Sequence, residues 1–321
     1  MNMTKRIKTY LLTGFLGAGK TTLLNHLLSR SKSELNYVIE NEFGKSSVDA
    51  ELVIKNYNKL FELNNGCICC SLDNELIEVL VQMIQADTLP DNLFIEASGV
   101  ADAGQLASIF KREDVIQYFD FQQVVCMVDA ENFEDRVQEV PEMFRQIVAS
   151  DLILINKTDL VQEKYAESVK SEIESINPLA KTALTTFGKF DFDLFDSSAE
   201  SILTKIDQSK LDAIKPAHRM KSIAMEVPFE FDRDQLYAVL STSIFLYYHQ
   251  LYRIKGFVKL KGEDQAVLVQ STGNKLTISN QYKKNESQKL VLIFIGRDIE
   301  RKGIERLIHN AISSKLKAST I

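Results

Sequence analysis

Two groups of residues in this chain have the types and spacing to do chemistry. The first is Gly14-Phe15-Leu16-Gly17-Ala18-Gly19-Lys20-Thr21-Thr22, which reads G-x-x-x-x-G-K-T with an extra internal glycine. Glycines let a loop curl until successive backbone N–H groups converge on an anion. The start of the following helix adds a partial positive charge. In such a loop Gly14, Gly17, Ala18, Gly19 and Thr22 cradle phosphate, Lys20 reaches the β- and γ-phosphates, and the Thr21 hydroxyl ligates Mg²⁺. The second group is Cys67-Ile68-Cys69-Cys70. Sulfurs this close can present two or three thiolates to one ion, favouring Zn²⁺, Cu⁺ or related ions over Mg²⁺. Three sulfurs leave a tetrahedral ion one ligand short, which suits a site that hands its ion on. Glu40 and Glu42 are candidate oxygen ligands. Buried structural cysteines or a redox pair are the alternatives.

Two shorter motifs extend the first group. Glu96-Ala97-Ser98-Gly99 follows the apolar run Leu93–Ile95. Glu96 stands where an acid helps hold Mg²⁺ through a water, and the Gly99 N–H can approach a γ-phosphate. Asn156-Lys157-Thr158-Asp159 ends another apolar run. The Asp159 carboxylate can accept both the N1 and N2 hydrogens of guanine. Adenine would leave it unpaired, a mismatch that discriminates by on the order of 10⁴–10⁵. Asn156 can bond the base edge or the P-loop, and the Lys157 stem can cover the ring. These residues predict GTP and GDP as ligands. Cys126, inside an apolar strand, reads as a small core residue. The four His are dispersed, with no H-x-H or H-x-x-x-H pair.

Strands must deliver these motifs. Lys8–Leu12, Asn36–Ile39, Lys59–Leu63, Asn92–Ile95, Gln123–Asp129, Asp151–Ile155 and Thr182–Thr185 have strand character. Leu23, Leu24, Leu27 and Leu28 form a helical stripe after the glycine loop. Leu76, Leu80 and Ile84 form another, and helical periodicity extends to about Ile176. Apolar strands alternating with helices predict an α/β fold of the P-loop NTPase type, a mostly parallel sheet covered on both faces. Every motif falls at or after a strand end, where such sheets bind ligands.

From about 187 the composition turns acidic and then lower in complexity. The expected organisation is a first domain over 1–200, a linker over 201–218 and a smaller α+β domain over 219–321. The last has strands at Ala224–Phe229, Tyr252–Leu260, Ala266–Gln270, Lys275–Ser279 and Leu290–Ile295. Helices are expected from Asp232 to Leu240 and from about Glu300 to Ser313. The chain of 321 residues is 45% hydrophobic and 26% charged, with net charge −6, ordinary for a soluble protein with a sizeable core. Nothing in this balance points to a nucleic-acid or membrane partner. No apolar run could span a bilayer, and the N-terminus leaves no room for a removable signal peptide. A cytoplasmic location follows as the expectation.

Taken together the glycine loop, Glu40-Asn41-Glu42-Phe43-Gly44, Gly66-Cys67-Ile68-Cys69-Cys70, Glu96-Ala97-Ser98-Gly99 and Asn156-Lys157-Thr158-Asp159 resemble the CobW-type proteins. These belong to a wider class of metal-handling P-loop GTPases that includes nickel and cobalamin-enzyme chaperones. Arg253-Ile254-Lys255-Gly256-Phe257 and Phe294-Ile295-Gly296-Arg297-Asp298 look like that family's C-terminal domain. The resemblance implies slow GTP hydrolysis coupled to delivery of a transition metal, most often zinc, to a client metalloprotein. Cobalt and nickel are the other candidates. Members tied to cobalamin synthesis or nitrile hydratase activation share the motifs. A nucleotide- or metal-dependent dimer is one option the sequence leaves open. A redox-sensing regulatory GTPase and a non-enzymatic scaffold are the competing readings. Three departures stand out. Lys45 occupies a usually acidic position, the histidine-rich loop of many members is missing, and Ala103 stands where Pro commonly follows Asp102.

Overall fold

A computed structural model of the chain describes residues 5–42, 57–64, 72–134, 141–190, 220–247, 249–273, 275–280 and 290–312. The chain divides into two compact units, Met1–Lys170 with Thr182–Phe192, and Ser171–Lys181 with Asp193–Ile321. No helix among the described residues is long and apolar enough to cross a membrane.

The first unit is built on strands β1 (Ile7–Thr13), β2 (Asn36–Glu42), β3 (Lys59–Asn64), β4 (Asn92–Glu96), β5 (Phe119–Asp129), β6 (Leu152–Asn156) and β7 (Lys181–Leu184). They lie in the order β3-β2-β4-β1-β5-β6-β7. The pairings from β3 through β6 are all parallel. β1 sits between β4 and β5, so the strand order reverses beside it and a crevice opens at its carboxyl end.

Helices α1 (Lys20–Arg30), α2 (Leu72–Ile84), α3 (Ala103–Ile109), α4 (Glu113–Ile116), α5 (Pro141–Ala149) and α6 (Glu163–Ile176) connect the strands. α1 buries Leu23, Leu24, Leu27 and Leu28, the stripe the spacing predicts. In α2 the buried face is Leu76, Leu80 and Met83, with Ile84 only partly buried. α3 begins at Asp102, whose carboxylate accepts from the Gln105 N–H at 3.1 Å. Ala103 is then the first helical residue, where the N–H has no intrahelical partner in any case, so proline is dispensable there.

Thr186 and Lys189 form a short antiparallel bridge. Phe190 is buried against α1, its ring 5.3 Å from that of His26 and 5.5 Å from the Arg30 guanidinium. Packing therefore keeps 187–190 in the first unit.

The second unit contains β8 (Met220–Glu226), β9 (Glu230–Phe231), α7 (Arg233–Leu246), β10 (Leu251–Leu260), β11 (Val267–Thr272), β12 (Lys275–Ser279), β13 (Val291–Arg297) and α8 (Arg301–Ala311). β12-β11-β10-β13-β8 form an antiparallel sheet, and β9 pairs parallel to the end of β10. Asp232 caps α7 by accepting from the Gln235 N–H at 3.0 Å. One core joins Leu236, Leu240 and Ile244 of α7, Ile304 and Ile308 of α8, and Ile254, Val258 and Phe294 of the sheet.

Candidate functional site

The turn from β1 into α1 is shaped for an anion. Gly14, Gly17 and Gly19 all have positive φ. At Gly19 a side chain is excluded twice, by φ 106° and by the Asn156 amide nitrogen, which an added Cβ would meet at 2.6 Å. The loop tightens through an Ala18 N–H to Phe15 carbonyl bond of 3.2 Å. Lys20 is buried, its Nζ 3.5 Å from the Phe15 carbonyl. Gly19 provides no side-chain cap for α1, and the first turn holds no acidic residue. The orphan N–H groups and positive end of this helix are thus offered to a ligand carrying negative charge. Thr22 lies exposed on the same turn.

The Thr21 hydroxyl donates to Glu96 Oε1 at 2.9 Å. This brings a hydroxyl and a carboxylate from α1 and β4 together, the hard oxygen pair that suits Mg²⁺. Beyond Glu96 the chain turns back over the glycine loop. An added Cβ on Gly99 would stand 2.6 Å from the Leu16 nitrogen, so only glycine allows this approach.

β6 delivers Asn156, which ties the crevice together. Its Nδ2 donates to the Ala18 carbonyl at 3.0 Å, and its Oδ1 accepts from the Gly188 N–H at 3.0 Å and the Thr185 hydroxyl at 3.3 Å. Of the two roles the sequence allowed, the structure shows the bond to the P-loop. Lys157 is left-handed, φ 63°, and its Nζ lies 2.8 Å from Asp129 Oδ2. Asp129 also accepts from the Asn132 amide and the Glu131 N–H. Burial pushes the Asp129 pKa up, but Lys157 and these donors outweigh it and hold the group below its ordinary range. The Lys157 stem is thereby fixed beside the crevice. Asp159 follows in a 3₁₀ turn, Thr158–Leu160, with its carboxylate exposed.

Two participants were not anticipated from sequence. In the sequence Asp129 is only the end of an apolar strand, and its use depends on Lys157, which follows β6. Gln146 of α5 is fully buried, and its Nε2 donates to the carbonyls of Gly99 at 2.9 Å and Ala101 at 3.4 Å. Readable signals existed for the helices around it. Asp102 with Gln105 has the spacing of a capping box, and Pro141 suits a first helical position.

The soft-metal motif is only partly within view. Cys67, Cys69, Cys70 and Lys45 lie outside the described residues, as does the side chain of Glu42. Glu40 is buried near the end of β2, in register with Glu96 of β4. Among the described residues no three His, Cys, Asp or Glu side chains form a metal site. Cys126 is buried in the core as expected, and burial pushes its thiol up to about 12.

The sheet, its glycine loop and the motifs at its strand ends define a P-loop NTPase fold joined to an antiparallel-sheet domain. Residues 8–183 match the CobW/HypB/UreG nucleotide-binding domain, and residues 220–312 match the cobalamin synthesis protein CobW C-terminal domain. The chain therefore belongs to the CobW/HypB/UreG family. It is 32% identical over 274 residues to the zinc chaperone YjiA of Escherichia coli, covering 82% of this chain and 85% of that one. It is 28% identical over 317 residues to the zinc chaperone CobW of a Sinorhizobium species, covering 84% and 86% of the two chains. The crystal structure of Zn(II)-bound YjiA GTPase from E. coli aligns with a TM-score of 0.70 at 25% identity, covering 98% of this chain and all 100% of that one.

Proposed function

We propose that this chain is a GTPase that carries zinc to a client metalloprotein in the cytoplasm. The observation that supports this most directly is the Thr21–Glu96 pair beside an uncapped helix start, in a chain whose relatives are zinc chaperones. Gly14, Gly17, Ala18, Gly19, Lys20, Thr21 and Thr22 hold the phosphates, and Gly99 approaches the last of them. Asp159 selects guanine while Lys157 covers its ring and Asn156 holds the loops together. Thr21 directly and Glu96 through a water would hold Mg²⁺, which when bound neutralises charge developing on the β- and γ-oxygens. Among the described residues none is placed as an arginine finger, so intrinsic turnover is expected well below the ~1–100 s⁻¹ of kinases.

Zinc is the cargo. Cys67, Cys69 and Cys70 supply soft ligands, with Glu40 and Glu42 as candidate oxygen donors. β2 carries Glu40 and leads into 43–45, where γ-phosphate and Mg²⁺ would order the chain as in other switch proteins. Nucleotide state then sets zinc affinity, and linkage requires zinc to alter nucleotide affinity by the same factor. The domain after the 201–218 linker would choose the client. The test is a zinc titration against a competing chelator, with GDP and then with a non-hydrolysable GTP analogue. A several-fold difference in Kd between the two states is expected, with loss of the tight site when Cys67, Cys69 and Cys70 are all changed to Ala. Equal affinities in both states, or equal stoichiometry in the triple variant, would overturn the proposal.

A further inference from the structure

Phe187 combines two features. Its backbone is left-handed, φ 54°, a conformation that costs free energy for a residue with a Cβ. Its ring is 66% exposed. With Gly188 at φ 63°, Phe187 makes the two-residue turn closed by the Thr186–Lys189 bridge, where asparagine or glycine is the usual occupant and an exposed phenylalanine ring is not.

The surrounding loop is firmly tied to the base-reading segment. The Thr158 hydroxyl donates to the Thr185 carbonyl at 2.9 Å and lies 3.1 Å from the Thr186 hydroxyl. The Gly188 N–H is committed to Asn156 Oδ1 at 3.0 Å, and the Lys189 N–H to the Thr186 carbonyl at 3.1 Å. Phe187 is thus displayed one residue beyond a direct contact with Thr158, the neighbour of both Lys157 and Asp159. Asp129 anchors Lys157 through its Nζ at 2.8 Å. The strain at Phe187 is sustained by bonds on both sides of it.

We propose that the Phe187 ring covers one face of the bound guanine and the Lys157 stem the other, making Phe187 a determinant of nucleotide affinity. This rests on the guanine-nucleotide reading above. Aromatic stacking tolerates any base, so Phe187 supplies affinity while Asp159 supplies the choice of base. A buried or tightly packed ring could not play this part, and a glycine would adopt the backbone more easily but offer no face.

The experiment compares Phe187→Gly, Phe187→Trp and Asp159→Asn with wild type. Phe187→Gly suits the left-handed backbone, so it removes the ring without disturbing the turn. It should weaken GDP binding by about 10-fold, with inorganic tripolyphosphate competing as well as in wild type. The chain has no tryptophan, so Phe187→Trp places a single indole at the site, and its emission should change on GDP addition. Asp159→Asn should shift preference from GDP to xanthosine diphosphate, because its amide can donate to the 2-keto oxygen. GDP affinity within 2-fold of wild type in Phe187→Gly would overturn the proposal, while the base switch in Asp159→Asn would leave the guanine reading intact. Equal loss of GDP and tripolyphosphate would also overturn it, since the ring would then be supporting the phosphate loop. Failure of wild type to prefer GDP over ADP would remove the guanine reading and this inference together.

Discussion

Glu40 and Glu96 stand in register on neighbouring parallel strands, β2 and β4. Register partners in a parallel pair project to the same face. Glu96 accepts from Thr21 on that face, so the acid proposed to touch zinc stands one strand from the acid proposed to serve Mg²⁺. The two variants should separate. Glu96→Gln is expected to lower GTP turnover about 10–100-fold, the usual effect of losing an outer-shell metal partner. Glu40→Gln should leave GDP affinity near wild type but reduce the difference in zinc affinity between the GDP and GTP-analogue states. Chelator competition in both states measures that difference, and an unchanged difference in Glu40→Gln would remove Glu40 from the coupling.

Asn156 is buried, and it bonds the phosphate loop and the loop carrying Thr185 and Gly188 at once. Asn156→Ala leaves the Ala18 carbonyl and the Gly188 N–H without this partner, each a loss of about 1–3 kcal/mol when the group stays dry. The expected destabilisation is about 2–4 kcal/mol, or roughly 5–15 °C in Tm for a domain of this size. Scanning calorimetry with and without GDP would measure it. Both loops proposed to touch nucleotide lose their tether, so GDP should also restore less Tm than it adds to wild type.

Acid should expose the Asp129–Lys157 pair. The Asp129 pKa is lowered in the folded protein because Lys157, Asn132 and the Glu131 N–H together overcome the upward effect of burial. A carboxylate depressed on folding contributes stability that is fully present above its unfolded pKa, about 4. That contribution is lost as the pH falls through the folded value. Wild type should therefore exceed Asp129→Asn in stability by a constant amount near neutrality. The gap should narrow as the pH drops below about 4. Urea unfolding at a series of pH values gives the curve, and a gap independent of pH would mean that the ion pair contributes nothing.

The elements that deliver the motifs were legible because each combines an apolar strand with a glycine or polar turn at its end. Lys59–Asn64 and Leu152–Asn156 are readable on that basis alone. α3 to α5 were not, since their signals are single capping residues in place of a long stripe. Gln146 illustrates the deeper limit. A glutamine in a short helix carries no mark of burial, and its value lies in two carbonyls more than forty residues upstream. The packing of Phe190 onto α1 leaves no mark in the sequence either, because the acidic composition around it masks a contact made with residues far upstream. Asp129 required knowing that β5 and β6 end side by side, which their register at Asp129 and Asn156 supplies.

Gln146 offers the sharpest separation of stability from turnover. Its Nε2 holds the carbonyls of Gly99 and Ala101, while its Oε1 is buried without a hydrogen-bond donor among the described residues. An unsatisfied buried acceptor costs about 1–3 kcal/mol. Gln146→Met keeps a similar volume and removes that penalty but leaves the Gly99 and Ala101 carbonyls without this donor, a net cost of about 1 kcal/mol. A Tm within about 4 °C of wild type is expected. The tether on the Glu96–Gly99 loop is lost outright, so GTP turnover should fall while GDP affinity, set mainly by the phosphate and base segments, holds. Gln146→Glu keeps the shape but sets a carboxylate against two carbonyls, and should lower both Tm and turnover. Full turnover in Gln146→Met would show that the loop finds its catalytic position without this anchor.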